Sequence, residues 1–511
     1  MIDITPADQE IVTTILKKHV PHAEVRVFGS RHKWTAKPYS DLDLAIVADA
    51  KLEKQIIYDL EEAFEESELS FRVDVIDWYA ISDEFRAIIE QGYTVIQEKK
   101  EALPAGWVMK KLGEISIKLA SGATPKGGDS SYKSSGISLI RSQNILDFTF
   151  SYNGLVFIDN DQANKLQNVE IKENDVLINI TGDSVTRCCS VPNQVLPARV
   201  NQHVMIIRVN NKVCDSNYIK YYLLNPISKS HLLSLSSSGA TRKALTKTMM
   251  DNLKIWLPPL QEQKKIAAIL SSLDDKIELN QQINKKLEEM AQAIFKEWFI
   301  DFNFPDENGN PYRDAGGAMI DSELGQIPAY WSVGKLGEEF NITMGQSPVG
   351  SSYNESKEGM IFFQGRTDFG TRFPSIRLFT TEPKRIAKKF DILLSVRAPV
   401  GDINIALQYC CIGRGLAAIN AENKSYCYYK LQFLQQQFNI YNGTGTVFGA
   451  INKDQLHGLS VVIATQNVVR NFEDVVSKID EKIYHNHLEI LNLQNTRDTL
   501  LPKLLSGEIL A

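Results

Sequence analysis

The sequence predicts a multidomain α+β protein: a small α/β domain, then two β-rich units joined by two long antiparallel coiled-coil helices. Three observations carry that expectation. A long-period internal repeat runs through most of the chain, a heptad pattern closes each copy of it, and two carboxylates alternate on one strand near the start. At 511 residues the chain exceeds one ordinary domain and implies about three or four units. Hydrophobic residues are 43% and charged residues 23%, a globular composition that excludes a mostly disordered chain. No apolar run reaches the roughly 18–20 residues of a membrane helix, and the first residues lack a secretory signal's basic and apolar regions. The expectation is a cytoplasmic protein without membrane contact. The six cysteines form no CxxC and read as buried thiols of a reducing compartment rather than disulfides or a zinc site. A net charge of −6 gives no global nucleic-acid signal but leaves a local basic surface open.

The first element in order is residues 1–102. Glu24 to Phe28 reads as a strand, Gly29-Ser30 as a tight turn into a helix, and Asp41 to Val47 as a second strand. Alternate strand residues share a face, so Asp41 and Asp43 point one way while Leu42 and Leu44 point into a core. Two like-facing carboxylates repel unless a cation bridges them, and an oxygen-only set suits Mg²⁺ with phosphate oxygens. A third strand, Phe71 to Ile76, supplies Asp74, whereas Asp77 faces the other way and reads as structural. Gly29-Ser30 offers N–H groups at a helix start, suited to a nucleotide's phosphates. The layout is that of metal-assisted phosphoryl or nucleotidyl transfer.

The repeat comes next. Trp107-Val-Met-Lys-Lys-Leu112-Gly-Glu returns as Trp331-Ser-Val-Gly-Lys-Leu336-Gly-Glu, and Ser121-Gly-Ala-Thr-Pro125 answers Gly345-Gln-Ser-Pro348. Asp175-Val-Leu-Ile answers Asp391-Ile-Leu-Leu, Gly239 with Lys247 answers Gly445 with Lys453, and Asp274-Asp-Lys-Ile277 answers Asp480-Glu-Lys-Ile483. The offset drifts from 224 to 216 to 206, so the second copy is shortened by loop deletions. The expected divisions are 103–257 and 331–463 for the β-rich units, 258–300 for the first spacer helix, 301–330 for a turn-rich connector, and 464–511 for the second helix and tail.

Pro258-Pro259 marks the start of the first helix, whose 4,3 spacing runs Ile266, Leu270, Leu273, Ile277, Asn280, Asn284, Leu287, Ala291, Ile294 and Trp298. The second gives Phe472, Val476, Ile479, Ile483, Asn486, Ile490, Leu493, Arg497 and Leu500. That is a seam of about four heptads in each copy. Asn280 and Asn486 share a repeat position, and seam asparagines fix register and partner choice. Antiparallel pairing of the two helices within the chain is the expectation, with the β-rich units held apart at the ends. The alternative is an ordinary amphipathic helix packed on its own domain.

The loops of the two units carry groups that suit nucleic acid. The first offers Arg141, Gln143, Thr181, Arg187, Arg242 and Lys243, and the second Gln364, Arg366, Arg397, Asn452 and Lys453. Arg and Lys suit guanine edges and phosphates, while Asn and Gln suit adenine. Singly, each reads more readily as a solvated loop residue than as a base contact. No nuclease, helicase or methyltransferase motif is present, so this region reads as binding rather than catalytic.

Two family resemblances follow from these residues. Gly29-Ser30-Arg31 with Ser40-Asp41-Leu-Asp43-Leu resembles the signature of minimal nucleotidyltransferases of the DNA polymerase β superfamily, over about residues 8–98. The resemblance implies that Asp41, Asp43 and Asp74 are the catalytic Mg²⁺ ligands and that Gly29 and Ser30 hold a nucleoside triphosphate. The family pattern usually has Gly near Trp34 and a small residue at His32, so an inactive or binding-only domain is the alternative. Residues 103–511 resemble the specificity subunit of type I restriction–modification systems. The carrying residues are Ile140-Arg-Ser-Gln-Asn144, Asp175-Val-Leu, Gly239-Ala-Thr-Arg-Lys-Ala-Leu-Thr-Lys, Leu257-Pro-Pro-Leu-Gln-Glu-Gln-Lys-Lys-Ile-Ala and Leu501-Pro-Lys-Leu-Leu-Ser-Gly-Glu-Ile. That resemblance implies two target-recognition domains on a gapped, asymmetric double-stranded DNA site. The helices would dock methyltransferase subunits, with restriction translocase subunits added, and S-adenosylmethionine would be bound only by the methyltransferase partner. Two rival readings stand beside it: an antitoxin-like nucleotidyltransferase that uses the repeats for targeting, and a non-catalytic scaffold.

Overall fold

A computed structural model describes residues 2–21, 23–37, 40–48, 51–98, 104–125, 127–237, 243–442 and 449–511. The chain divides into two compact units, residues 1–268 with 501–511, and residues 269–500.

The first unit begins with a small mixed sheet. Its elements are α1 (Pro6–His19), β1 (Glu24–Phe28), α2 (Gly29–His32), β2 (Leu42–Val47), α3 (Lys54–Glu65), β3 (Val73–Asp77), α4 (Asp83–Glu90) and β4 (Thr94–Gln97). α1 starts with Pro at its first position and a Thr5/Asp8 capping box, which satisfies otherwise orphaned N–H groups. The strand order is β3-β2-β1-β4, with β2 and β3 parallel and both β1 pairings antiparallel. Alternation is visible in burial: Val25 and Val27 on β1, Leu42 and Leu44 on β2, and Val73 and Val75 on β3 form one core with Leu16, Leu60 and Phe64 of the helices.

Each repeat copy builds the same architecture. In the first, Val108–Lys111 pairs with Lys254–Leu257, and a four-stranded sheet runs Cys188–Ser190, Val176–Asn179, Val204–Val209, Ser116–Ser121. In the second, Ser332–Lys335 pairs with Ser460–Ile463, and the order Ile403–Ile405, Ile392–Ser395, Leu416–Asn420, Asn341–Met344 repeats it. The repeated aspartates do the same work in both. Asp175 and Asp391 are buried and accept the N–H of the residue three before them, Lys172 at 2.7 Å and Lys388 at 2.8 Å. Gly122 and Gly345 are glycine because a Cβ at either would collide with a backbone carbonyl, of Val200 and Gly413 respectively. All six cysteines are buried free thiols, and burial pushes Cys189 and Cys410 up to about 12.

The two long helices are Leu260–Phe299 and Gln466–Ser506. In the second unit they pair antiparallel: Asp274 accepts from Arg497 at 2.9 Å, Glu489 from Asn280 at 2.9 Å, and Asn284 from Asn486 at 2.8 Å. The seam is therefore real, with Asn280 and Asn486 each 1% exposed, but the two asparagines do not meet. Antiparallel register sets each against a different residue of the other helix. Beyond Ala291 the seam drifts: Phe295 and Phe299 are buried more deeply than Ile294 and Trp298, because the helix gains the second β-rich unit as a third neighbour. Phe295, Phe299, Trp331, Tyr426 and Phe472 share that core, with Phe299 and Tyr426 rings 4.9 Å apart.

The connector is more ordered than its turn-rich composition predicts. Met319–Ser322 and Gly325–Pro328 form a hairpin, and Phe304 stacks between Tyr312 at 4.6 Å and Trp331 at 5.1 Å. Nearby in the second unit, His487 lies 4.6 Å from the Phe373 ring, and burial holds its imidazole below the ordinary value. The unfolded chain then binds a proton that the folded chain resists, so stability present above the ordinary imidazole value is lost on acidification. The melting temperature of the second unit is expected to fall between about pH 7.5 and pH 5.5, and His487→Phe to flatten that slope in calorimetry.

Candidate functional sites

The N-terminal site forms where β1 ends and β2 and β3 begin. Phe28 pairs with Asp43, and Asp43 pairs with Asp74 across the parallel strands. Asp41 lies exposed just before β2, while Asp43 and Asp74 are half-buried. Burial and the neighbouring Asp74 and Asp41 carboxylates push Asp43 above its ordinary range, so the three charges act on one another. Gly29 has φ +73°, and a Cβ there would collide with the Asp43 carboxylate, so the turn rests directly on that acid.

Arg31, which the sequence reading passed over, sets the geometry. It is 6% exposed, donates twice to the Ser40 carbonyl at 2.9 and 2.7 Å and to Asp3 O at 2.9 Å, and stacks over Phe71. It thereby anchors the residue immediately before Asp41. Asp77 faces away from Asp74, as expected, and accepts N–H bonds from Leu52 at 3.1 Å and Tyr79 at 3.0 Å.

Trp34 is 60% exposed with φ +55°. The left-handed backbone explains why glycine suits this position. The donor set, three carboxylates and no softer ligand, fits Mg²⁺. Among the described residues no three such groups stand close enough to hold an ion, and Asp74 is instead paired with Arg72 at 3.1 Å.

The loop residues fall into two groups. Thr181 bonds His203 at 2.6 Å, Gln202 bonds the other ring nitrogen at 3.1 Å, and Thr124 bonds Gln202, a continuous polar chain. Gly182 N–H donates to Lys243 O at 3.1 Å, bringing exposed Lys243 beside it, and Arg187 is exposed on the same loop. In the second copy Gln364, Arg366, Arg397 and Arg414 are exposed, and Arg366 is ion-paired with Asp402.

Three expectations meet a different role. Arg141 and Gln143 both donate to the Gly154 carbonyl, at 2.7 and 3.1 Å, so they also brace their own loop. Asn452 is a helix N-cap, accepting from Gln455 N–H at 2.9 Å, with Lys453 exposed beside it. Thr246 caps the equivalent helix in the first copy. Arg242 lies outside the described residues.

A cluster with no sequence signal lies in the second unit. Arg372, 6% exposed, ion-pairs Glu288 of the first long helix and Asp480 of the second (2.6 Å), donates to Tyr429 at 3.0 Å and stacks on Tyr428.

A small mixed sheet with a Gly-Ser turn and three carboxylates, ahead of a duplicated β-rich unit and paired spacer helices, defines a transferase-like module joined to a double recognition array. Residues 10–103 belong to the nucleotidyltransferase domain family, and residues 104–289 match the type I restriction modification DNA specificity domain family. It is 28% identical over 419 residues to the putative type I restriction enzyme MjaX specificity subunit of Methanocaldococcus jannaschii, covering 80% of this chain and 94% of that protein. It is 48% identical over 102 residues to the probable protein adenylyltransferase MntA of Haemophilus influenzae, covering 20% of this chain and 90% of that one. The crystal structure of a type I restriction-modification S subunit from M. genitalium shares the fold at TM-score 0.50 and 15% identity, over 80% of this chain and 97% of that one. No helix among the described residues is long and apolar enough to cross a membrane.

Proposed function

We propose that residues 103–511 are the DNA sequence-specificity subunit of a type I restriction–modification complex. In this reading 103–257 and 331–463 each recognise one half of a gapped, asymmetric double-stranded site. The helices at 258–300 and 464–511 set the gap and dock methyltransferase subunits in the cytoplasm, with translocase subunits joining them. S-adenosylmethionine belongs to the methyltransferase partner. The observation that carries this reading is the pair of β-rich units, whose four-stranded sheets share one strand order, joined through antiparallel helices. The test is adenine-methylation mapping in cells carrying the chain with its cognate methyltransferase subunits. Exchanging residues 331–463 for those of a relative is expected to change one half of the methylated motif. Alteration of both halves would defeat the modular reading.

Residues 1–102 are a nucleotidyltransferase whose acceptor is a protein, a reading that its 48% identity to a probable protein adenylyltransferase favours. A hydroxyl of the acceptor attacks the α-phosphorus of a nucleoside triphosphate, the P–O bond to the β-phosphate breaks, and pyrophosphate leaves with its electron pair. Gly29 and Ser30 would lie against the phosphates, and Asp41, Asp43 and Asp74 would hold Mg²⁺, which would supply neutralising charge there. Arg31 keeps Asp41 in place through Ser40. The proton of the attacking hydroxyl passes to a carboxylate of the site as the new ester forms. Transfer of a labelled nucleotide to a co-purified protein, dependent on Mg²⁺, is the expected result. Absence of labelling with any nucleoside triphosphate would leave the domain a binding module.

A further inference from the structure

The two β-rich units share a set of backbone bonds that puts their loops in exact correspondence. Asn201 N–H donates to Ile140 O at 3.1 Å as Gly413 donates to Phe363 O at 2.8 Å. Ile180 donates to His203 O at 3.0 Å as Val396 donates to Gly415 O at 2.9 Å, and Asn179 to Arg187 O at 2.9 Å as Ser395 to Asp402 O at 2.8 Å. Gly182 donates to Lys243 O as Ala398 does to Gly449 O, and isolated bridges join Thr181 to Ala244 and Arg397 to Ala450. These bonds tie four loops of each unit to one another, so the equivalences hold in space as well as in sequence. The sequence repeat carries Thr181 onto Arg397 at the offset of 216 but loses register between there and the 206 offset, because the intervening loops differ in length and composition.

The correspondence sets unlike side chains at like places. Arg141 stands where the second unit has Gln364, and Gln143 where it has Arg366. Thr181 stands for Arg397, Arg187 for Asp402, and Gln202 for Arg414. The first strand's loop follows the same rule: Thr124 bonds Gln202, and at the matching place Ser347 accepts from the Arg414 N–H at 3.3 Å.

The chemistry of the two sets differs. In the first unit His203 straps Thr181 and Gln202 together, which fixes the face the Gln202 carboxamide presents. In the second unit Gly415 stands where His203 would be, so no strap forms, and Arg397 and Arg414 are both exposed. An arginine fork matches guanine O6 and N7, and an oriented carboxamide matches adenine N6 and N7.

Resting on the DNA-specificity reading above, we infer that the Thr181/Arg397 and Gln202/Arg414 pairs are one reading frame used twice. Arg397 and Arg414 give the second unit the half-site richer in guanine contacts, and Thr181 and Gln202 give the first unit a half-site richer in A·T. The same scaffold therefore reads two different half-sites because the side chains at its equivalent positions differ, not because the loops are placed differently.

The test is methylation mapping with the full chain and its cognate methyltransferase subunits, comparing wild type, Arg397→Gln/Arg414→Gln and Thr181→Arg/Gln202→Arg. Wild type is expected to give a two-part motif with one half richer in G·C. The first variant is expected to lose guanine preference in that half by about tenfold or more, the other half being unchanged. The second variant is expected to alter only the other half. The unchanged half in each case reports that the chain is folded and assembled. Three results would overturn the inference: both halves intact in either variant, loss in the G·C-poorer half on changing Arg397 and Arg414, or a fall in methylation at all sites alike. The last would mark phosphate contacts or a lost fold rather than base reading. A wild-type chain that directs no motif at all would instead defeat the specificity reading beneath it.

Discussion

Replacing Asp41 and Asp43 together by asparagine is expected to lower nucleotidyl transfer by at least about 10²-fold, the usual scale for removing charge stabilisation aimed at a transition state. Asparagine keeps the size and hydrogen-bonding reach of each side chain, so packing around Leu42 and Leu44 should survive. What disappears is two of the three negative charges proposed to hold Mg²⁺ against the phosphates. The methylated DNA motif should be unchanged in the same variant, which separates loss of transfer from loss of the fold. Because burial and its two neighbours raise the Asp43 pKa, wild-type transfer should also fail on acidification sooner than an isolated carboxylate would predict. The sign follows from competition: as pH falls through the raised value, a proton takes the place of the cation. Full labelling by the double variant would refute the ligand assignment.

Arg372→Met is the second large effect. The guanidinium is buried between Glu288 and Asp480, with Tyr429 accepting from it and donating on to Asp480 at 2.8 Å. Methionine fills similar volume but leaves two partly buried carboxylates facing each other without a cation. Breaking one partner out of such a cluster typically costs about 3–5 kcal/mol. The expected result is faster hydrogen exchange across residues 424–433 and 473–484, with the first unit unaffected. A chain of two units does not unfold in one step, so a local probe is the right measurement. Adding Glu288→Gln and Asp480→Asn to the methionine variant should restore part of the loss. Unchanged protection in Arg372→Met would mean that the cluster is stabilised by its aromatic packing alone.

Legibility in the sequence tracked how local each signal is. Asp41, Asp43 and the Gly-Ser turn could be read because strand alternation and a glycine with positive φ leave marks within a few residues. The antiparallel helix pair could be read because a heptad seam is a periodic, one-dimensional signal. The repeat could be read at Leu112/Leu336 and Asp175/Asp391, where the same residue does the same structural work twice. The loop residues were only half legible. Arg141 and Gln143 were picked for their chemistry, yet both also hold the Gly154 carbonyl, and Asn452 proved to be a helix cap. Polar side chains that serve the backbone and those offered to a partner look alike in a sequence.

By itself, then, the sequence determined the order of domains, the duplication, the coiled-coil seam and the three acids, all of which follow from period, alternation and short-range spacing. Only the tertiary structure decided that Arg31 anchors the residue before Asp41 and that Arg372 joins the second β-rich region to both helices. It alone matched Gln202 with Arg414 and Arg187 with Asp402. Each of these depends on contacts between segments far apart in the chain, where loop lengths vary and no periodicity survives, so nothing local records which residue will face which.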